Sequence, residues 1–384
     1  MKLRRRLTCA IALLGLAASG YSAYPAPAAS TLQTRNIVLI VIDGLRWQEV
    51  FHGPDAALMN QKYGGVENLE QLRHDFPGAG PQESRAAVLP FLWKTVAQRG
   101  QIFGNQDKQS VAKVANGLAF SYPGYNEMLA GFPDARIDKN EFGPNPNATV
   151  FEWLNHFPEY RGRVAVFGTW SVFNDIFNVQ RSGLYISAGW DPPHHGSEHG
   201  NPGPRQELLN EIYTTTTRLW DDNVYDAFVQ PVLLDYIKEH QPRVLFVGYG
   251  EADDWAHAGR YDLVLRSAHQ CDRFIEQLWN LMQSMTQYRD QTTFVITTDH
   301  GRGGGLTEWK EHGEEQKGSE NIWIGVLGPD TPPLGERANL PAVTQSQIAA
   351  TVAALLGKDY PASVPQAAAA LPDVATKRSS AAAK

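Results

Sequence analysis

Acidic and histidine side chains directly follow three apolar segments of this sequence. They are Asp43 after IVLIVI, Glu251, Asp253 and His257 after VLFVGYG, and Asp299 and His300 after TTFVITT. Short runs rich in β-branched residues are typical of strands that are buried on both faces of a parallel sheet. Because ligands bind at the carboxyl ends of the strands in such sheets, we expect these side chains to meet at one edge.

Carboxylates that cluster at such an edge repel one another and carry a cost of desolvation, which a divalent cation would remove. His312, in the loop after Asp299, adds a third imidazole. A mixed set of carboxylates and imidazoles suits Zn²⁺ or Mn²⁺, whereas an all-oxygen set would indicate Ca²⁺ or Mg²⁺. Taken singly, each residue has an ordinary alternative: Asp43-Gly44 is also a turn sequence, and Asp253 and His257 could form a pair on a helix surface.

The order of these motifs resembles that of the alkaline phosphatase superfamily. The matching residues are Asp43, Ser121 in SYPGYNEMLAG, Asp253-x-x-x-His257, Asp299-His300-Gly301 and His312. The resemblance spans residues 36–357 and is nearest to the type I phosphodiesterase/nucleotide pyrophosphatase and phosphoglyceromutase-like branch. It implies a bimetal hydrolase, usually with two zinc ions. By this resemblance, Asp43, Asp299, His300 and the Ser121 oxygen would hold one ion, and Asp253, His257 and His312 would hold the other.

Ser121 is the nucleophile that the resemblance implies, since a hydroxyl bound to a metal ion can ionise near neutral pH. Pro123 and Gly124 predict a tight turn that presents Ser121 at the start of a helix, where an anion is favoured. On spacing alone, Ser121 could simply cap that helix.

Two further residues are candidates for substrate binding. Asn140 is expected to donate to a phosphoryl oxygen, as an Asn does in the phosphodiesterase branch, with Asn145 and Asn147 as rivals. Arg302 is expected to approach the substrate because it lies beside the Asp299-His300 pair.

The function predicted from these motifs is metal-dependent hydrolysis of phosphate monoesters or diesters through a phosphoseryl intermediate. A sulfatase of the same fold is an alternative, because Ser121-x-Pro123 fits its motif, although Tyr125 stands where that motif requires Arg. A cofactor-independent phosphomutase is another. From a different class, a noncatalytic periplasmic binding protein could retain the metals for structure.

Composition narrows the choice of partners. The chain has 384 residues, 42% hydrophobic and 20% charged, and can therefore bury a sizeable core. Its formal charge of −7 becomes −11 without the four basic residues of segment 1–28. Such acidity argues against a nucleic-acid duplex or an anionic membrane as the main partner. A small phosphorylated substrate, which is the partner expected here, would need local positive charge from bound metal or from a few basic side chains. No sequence feature specifies an oligomeric state.

Segment 1–28 has a basic start, an apolar run and small residues, which together predict a secretory signal peptide and a periplasmic or secreted protein. No stable membrane span is expected after its removal. Apolar runs then alternate with helical patterns, which predicts an α/β fold: one domain over 36–357 with a mostly parallel central sheet, helices on both faces and loop insertions.

Two segments depart from this alternating pattern. The stretch from Gly183 to Pro204, with His194, His195 and His199, is expected to be a long surface excursion. Residues 361–384 are rich in Ala, Pro and Ser and are expected to form a disordered tail. Cys271 is predicted to be a buried structural thiol.

Overall fold

The computed structural model describes residues 32–78, 80–193 and 203–376. The predicted signal peptide and the His194–His199 cluster lie outside these residues. Strands within them form two sheets. They are β1 (Asn36–Ile42), β2 (Gln101–Phe103), β3 (Ser110–Lys113), β4 (Val164–Gly168), β5 (Tyr185–Ala188), β6 (Val244–Tyr249), β7 (Thr292–Thr297), β8 (Asn321–Ile322), β9 (Ile324–Leu327), β10 (Gly335–Glu336) and β11 (Leu340–Thr344).

The larger sheet has eight strands in the order β10-β2-β9-β7-β1-β6-β4-β5, and a smaller sheet has the order β11-β3-β8. β1 lies between β6 and β7 and is parallel to both. β9 is the reversed strand of the larger sheet, antiparallel to β7 and to β2. The prediction of a mostly parallel central sheet is confirmed.

Helices connect these strands. They are α1 (Trp47–His52), α2 (Gln61–Gly64), α3 (Leu69–Asp75), α4 (Pro81–Val88), α5 (Ala97–Arg99), α6 (Ser121–Ala130), α7 (Val150–Asn155), α8 (Phe173–Ile176), α9 (Val179–Ser182), α10 (Pro204–Thr215), α11 (Asp226–His240), α12 (Glu251–His257), α13 (Tyr261–Ser284), α14 (Gln347–Leu355) and α15 (Tyr360–Ser363). A search of the described residues finds no helix with the length and apolar character that crossing a membrane requires.

The central strand β1 separates two hydrophobic cores. Its alternate residues Val38, Ile40 and Ile42 pack into one core, with side chains from α1, α4, α11 and α13. Ile37, Leu39 and Val41 pack into the other, with side chains from α6, α7, α8 and α14. Because side chains alternate across a strand, a sheet covered on both faces needs an uninterrupted apolar run, which β1 has. Cys271 is buried in the first core as a free thiol, as predicted.

Some boundaries differ from the prediction. The sequence pattern of residues 88–99 favours one continuous helix, but the structure breaks it: α4 ends at Val88, and a π-helical turn, Leu92–Val96, leads into α5. Pro90 lies at the break, and proline has no N–H to continue a helix. The expected surface excursion after Gly183 contains β5, an edge strand that pairs in parallel with β4.

The segment expected to be a disordered tail is packed over residues 361–376. Leu371 and Val374 are buried in the second core, and the Leu371 N–H donates to Thr351 Oγ1 at 2.8 Å. The composition of the segment conceals this because Leu371 and Val374 are two of the few large apolar side chains of a stretch that is mostly Ala, Pro and Ser, although they are enough to anchor it. Residues 377–384 lie outside the described part of the chain.

Candidate metal centre

The edge of the larger sheet brings three acids together. Ile42 of β1 lies opposite Tyr249 of β6, and Val41 lies opposite Thr297 of β7, so these strands end at the same level. Asp43 directly follows β1, Asp299 lies two residues beyond the end of β7, and Asp253 lies in the first turn of α12, which follows β6. The convergence expected from the sequence is therefore present in the fold.

One group at this edge consists of Asp43, Asp299 and His300, whose nearest ligand atoms all lie within 4.8 Å of one another. His300 Nε2 is 3.5 Å from Asp43 Oδ1 and 3.4 Å from Asp299 Oδ2. All three side chains are buried. Ser121 Oγ lies 3.3 Å from the same His300 nitrogen, so the predicted nucleophile adjoins this group.

The second group surrounds Asp253. His257 Nε2 is 3.2 Å from Asp253 Oδ2 and 3.0 Å from His312 Nε2. His312 Nε2 and His300 Nε2 each lie 3.9 Å from Asp253 Oδ1. The six predicted Asp and His ligands thus form one continuous cluster, in which His300 lies between the two groups.

Two features of this cluster fit bound cations. Asp43 Oδ1 and Asp299 Oδ2 are buried and have no hydrogen-bond partner among the described residues, which is costly unless a cation neutralises them. His300 Nδ1 lies 2.9 Å from the Gly301 carbonyl oxygen, an acceptor, so Nδ1 carries the proton. The lone pair of His300 Nε2 then faces the two carboxylates, as a metal ligand must.

The electrostatics of the cluster without a cation point the same way. Burial, and then repulsion from Asp299, raise the pKa of Asp43 to about 7, and burial raises the pKa of Asp299 to about 7. Burial lowers the pKa of His300 and, together with the nearby His300, that of His312. Each shift disfavours a charged form, and a divalent cation would favour the ionised acids and the neutral imidazoles that ligate it.

Ser121 is the first residue of α6, and Phe120 before it is extended. The tight turn predicted at Pro123 and Gly124 is absent, because both residues lie in the first turn of the helix. Gly124 is needed for a close approach instead: a Cβ there would lie 2.5 Å from the Asp299 carbonyl oxygen. The helix that carries the nucleophile therefore packs directly on the backbone of a candidate metal ligand.

Glu127 holds this helix in place, a role that the motif analysis missed. Its carboxylate is fully buried and accepts from the N–H groups of Ala115, Asn116 and Ser346, and from the Ser346 hydroxyl at 2.7 Å. It thereby joins α6 to the loop before the nucleophile and to the start of α14. The sequence feature that could have indicated this role is a single acid, Glu127, in the otherwise uncharged segment SYPGYNEMLA. The structure buries all ten residues of that segment.

The ligands of the first group have supports of their own. The Tyr125 hydroxyl donates to Asp43 Oδ2 at 2.9 Å, and the Gly44 N–H donates to Asp299 Oδ1 at 3.1 Å. Gly44 has a φ of +60°, and a Cβ there would collide with Asp253 and Arg302. A glycine after Asp43 is required by this close approach.

The two predicted substrate-binding residues have different surroundings. Asn140 lines the pocket beside Ser121, and its Oδ1 accepts from the Tyr122 N–H at 3.0 Å, which leaves its Nδ2 hydrogens as donors. Its rivals Asn145 and Asn147 donate instead to Asn126 Oδ1.

Arg302 is placed differently from the prediction. It is 2% exposed and is not among the side chains that line the pocket. Its guanidinium donates to Asp253 Oδ1 and, at 2.6 Å, to the Lys310 carbonyl oxygen. Arg302 therefore braces a candidate metal ligand, and it is oriented by that contact rather than toward substrate.

The pocket over the cluster has a volume of about 240 Å³. Its described lining contains no Lys or Arg. The lining residues are Asp43, Ser121, Asn140, Glu141, Trp170, Val172, Asp222, Asn223, Gly250, Asp253, Asp254, His257 and His312. Apart from bound cations, the pocket therefore offers an anionic substrate no full positive charge from lysine or arginine.

No protein-family model and no curated protein matches the chain. Among solved structures, the chain is similar to BT1596, a 2-O GAG sulfatase, with a TM-score of 0.53 and 13% identity over 90% of this chain and 75% of that one. It is also similar to the lipoteichoic acid synthase LtaP from Listeria monocytogenes, with a TM-score of 0.52 and 11% identity over 85% of this chain and 72% of that one. A third structure, BT33336S-sulf of Bacteroides thetaiotaomicron, has a TM-score of 0.52 and 18% identity over 90% and 83% of the two chains. The chain thus shares its fold with these three structures.

Proposed function

We propose that the protein is a phosphoric ester hydrolase that uses two divalent cations and forms a phosphoseryl intermediate on Ser121. One observation carries the proposal: six Asp and His side chains converge beside the Ser121 hydroxyl, and two of their carboxylate oxygens are buried without a partner. If Asp43, Asp253 and Asp299 had a purely structural role, they would need basic partners. Among the described residues, Arg302 is the one Lys or Arg side chain that contacts any of them.

Asp43, Asp299 and His300 would hold one cation, close to Ser121 Oγ, and Asp253, His257 and His312 would hold the other. Zn²⁺ is the first choice for this mixed set of oxygen and nitrogen ligands, and Mn²⁺ the second. Bound there, the cations would supply the positive charge that stabilises the phosphoryl oxygens and lowers the pKa of a neighbouring hydroxyl.

The chain's own residues then perform the displacement. Ser121 Oγ attacks the phosphorus atom, the bond from phosphorus to the alcohol oxygen breaks, and the alcohol leaves with a proton. Water attacks the phosphoseryl group, which releases phosphate and restores the Ser121 hydroxyl. Asn140 Nδ2 donates to a phosphoryl oxygen, and the N-terminus of α6 favours negative charge at this point.

Sulfate ester hydrolysis is a second candidate, since two of the structures that share this fold carry sulfatase names. Against it stands Tyr125, at the position where the sulfatase motif requires Arg. Tyr125 is 1% exposed, and its uncharged hydroxyl donates to Asp43. It therefore does not supply the positive charge of the arginine that the sulfatase motif requires. A phosphodiesterase and a phosphomutase would both use the same metal cluster and the same attack by Ser121. They would differ in the ester that is bound and in the group that finally accepts the phosphoryl group.

The test compares turnover of an aryl phosphate, a bis-aryl phosphate and an aryl sulfate by the protein loaded with Zn²⁺ or Mn²⁺. We expect phosphate ester turnover that Ser121→Ala abolishes at unchanged metal content. Ser284→Ala, at an exposed helix end, is the matched control. Acid quenching during turnover should trap one phosphoryl group per chain, on Ser121.

Equal turnover by Ser121→Ala would disprove the nucleophile. Turnover of the sulfate alone would favour the sulfatase, and turnover of none of the esters would favour the metal-stabilised binding protein. The export predicted from segment 1–28 would place this activity in the periplasm or outside the cell.

A further inference from the structure

One wall of the pocket is acidic and does not belong to the metal cluster. We call it the acidic wall; its residues are Asp222, Asn223 and Asp254, with Trp170 beside them. The Trp170 indole N–H donates to Asp222 Oδ2 at 2.9 Å, which holds that carboxylate at the edge of the ring. Asn223 Nδ2 donates to Asp254 Oδ1 at 3.4 Å, which joins the loop before α11 to helix α12.

Two oxygens of this wall, Asn223 Oδ1 and Asp254 Oδ2, are buried without a hydrogen-bond partner among the described residues, and so is Thr169 Oγ1 behind the pocket lining. Thr169 is 1% exposed. A Cβ on Gly250, which also lines the pocket, would lie 2.6 Å from Thr169 Oγ1 and 3.3 Å from Asn223 Oδ1. The two oxygens therefore face the same small space at the pocket wall, beside Asp254.

Buried acceptors without donors are costly and call for a ligand that donates. A primary ammonium group carries three N–H donors and one positive charge. The three donors match the three unpartnered oxygens, and the positive charge matches the two nearby carboxylates, Asp222 and Asp254. A neutral hydroxyl group would offer one donor and would leave the carboxylates without a counter-charge.

We propose that the acidic wall binds the primary ammonium group of the substrate, so that the substrate is the phosphate ester of a short amino alcohol. This inference rests on the proposed function, because it places the phosphoryl group at Ser121. One small pocket contains both Ser121 and the acidic wall, which limits the alcohol to a short chain. The same wall, together with Glu141, repels substrates with a second anionic group, such as nucleotide polyphosphates.

The direct test measures binding without turnover. Zinc-loaded Ser121→Ala is titrated with O-phosphoethanolamine and with n-propyl phosphate, an ester of similar size that lacks the ammonium group. Because the ammonium group adds charge-assisted hydrogen bonds that n-propyl phosphate cannot make, we expect the ammonium ester to bind at least about tenfold more tightly. In the background of Ser121→Ala, Asp254→Asn and Asp222→Asn should each bring this ratio toward one, and Asp221→Asn, a neighbouring acid outside the pocket lining, should leave it unchanged.

Equal affinity for the two esters, or a ratio that survives both Asp254→Asn and Asp222→Asn, would overturn the subsite. So would the loss of a third metal equivalent in Asp254→Asn, because the wall would then hold a cation of its own. The proposed function is tested separately, by the aryl phosphate assay. A binding ratio of tenfold in a protein without phosphatase activity would support the ammonium site and reject the hydrolase.

Discussion

Replacing Gly124 by Ala should damage both the stability and the activity of the protein. The added Cβ would lie 2.5 Å from the Asp299 carbonyl oxygen and 3.2 Å from its carbonyl carbon. An ordinary contact needs at least 3.4 Å, so α6 and the Asp299 segment must separate by about 0.9 Å. Overpacking of this kind costs about 1–3 kcal/mol. Since Ser121 and Asp299 lie on the two sides of the contact, the shift also moves the nucleophile away from its site, and a displacement near 1 Å can cost about 100-fold in rate.

Thermal unfolding and aryl phosphate turnover measure the two effects on one preparation of zinc-loaded protein. We expect a lower melting temperature and a kcat lower by one to two orders of magnitude. Gly203→Ala is the control, since a Cβ there meets nothing within 4 Å and its φ of −70° is ordinary. A Gly124→Ala variant with the parent's kcat would refute the claim that this contact positions Ser121.

Three further variants or conditions test other parts of the site. Arg302→Ala should weaken metal affinity by about 10- to 100-fold, because Arg302 orients Asp253; a higher KM at saturating metal with unchanged metal affinity would instead restore Arg302 as a substrate ligand. Chelation should expose the raised pKa values of Asp43 and Asp299, each about 7 in the fold against 3.8 when exposed. The folded metal-free protein then holds extra protons between these values, so its melting temperature should fall as pH rises from 5 to 8 relative to that of the zinc-loaded protein, and parallel pH profiles would contradict this. Glu127→Ala leaves three backbone N–H groups without an acceptor and should cost about 3 kcal/mol in urea unfolding, whereas Glu127→Gln, which keeps one acceptor oxygen, should cost less.

The central sheet and most of the metal cluster could be predicted from the sequence for one physical reason. Strands that are buried on both faces, such as β1, must be continuously apolar, so their ends are visible and the acids that follow them share an edge. Asp253 and His257 were predictable as a pair because residues four apart lie on one face of a helix.

Features that depend on tertiary contacts were harder to predict from the sequence. β5 reads YISA and β2 reads QIF, runs too short and too polar to stand out as strands. Arg302 is near the metal ligands Asp299 and His300 in sequence, but the direction of its side chain is set by Asp253, which lies on α12. Gly124 was recognised as special for the wrong reason, since the residue that it approaches is 175 positions away in the chain.

Asp330 holds both ends of the described chain at the pole opposite the pocket. Its carboxylate accepts from the N–H groups of Gln33 and Thr34, and its carbonyl oxygen accepts from Thr376. Thr34 precedes β1, whereas the metal cluster follows it, and the seven residues of β1 between them span about 23 Å. A resin, a surface or a fused domain attached beside Thr34 or Thr376 would therefore leave the mouth of the pocket facing outward, which makes tethering at this pole a practical way to immobilise the protein without blocking access.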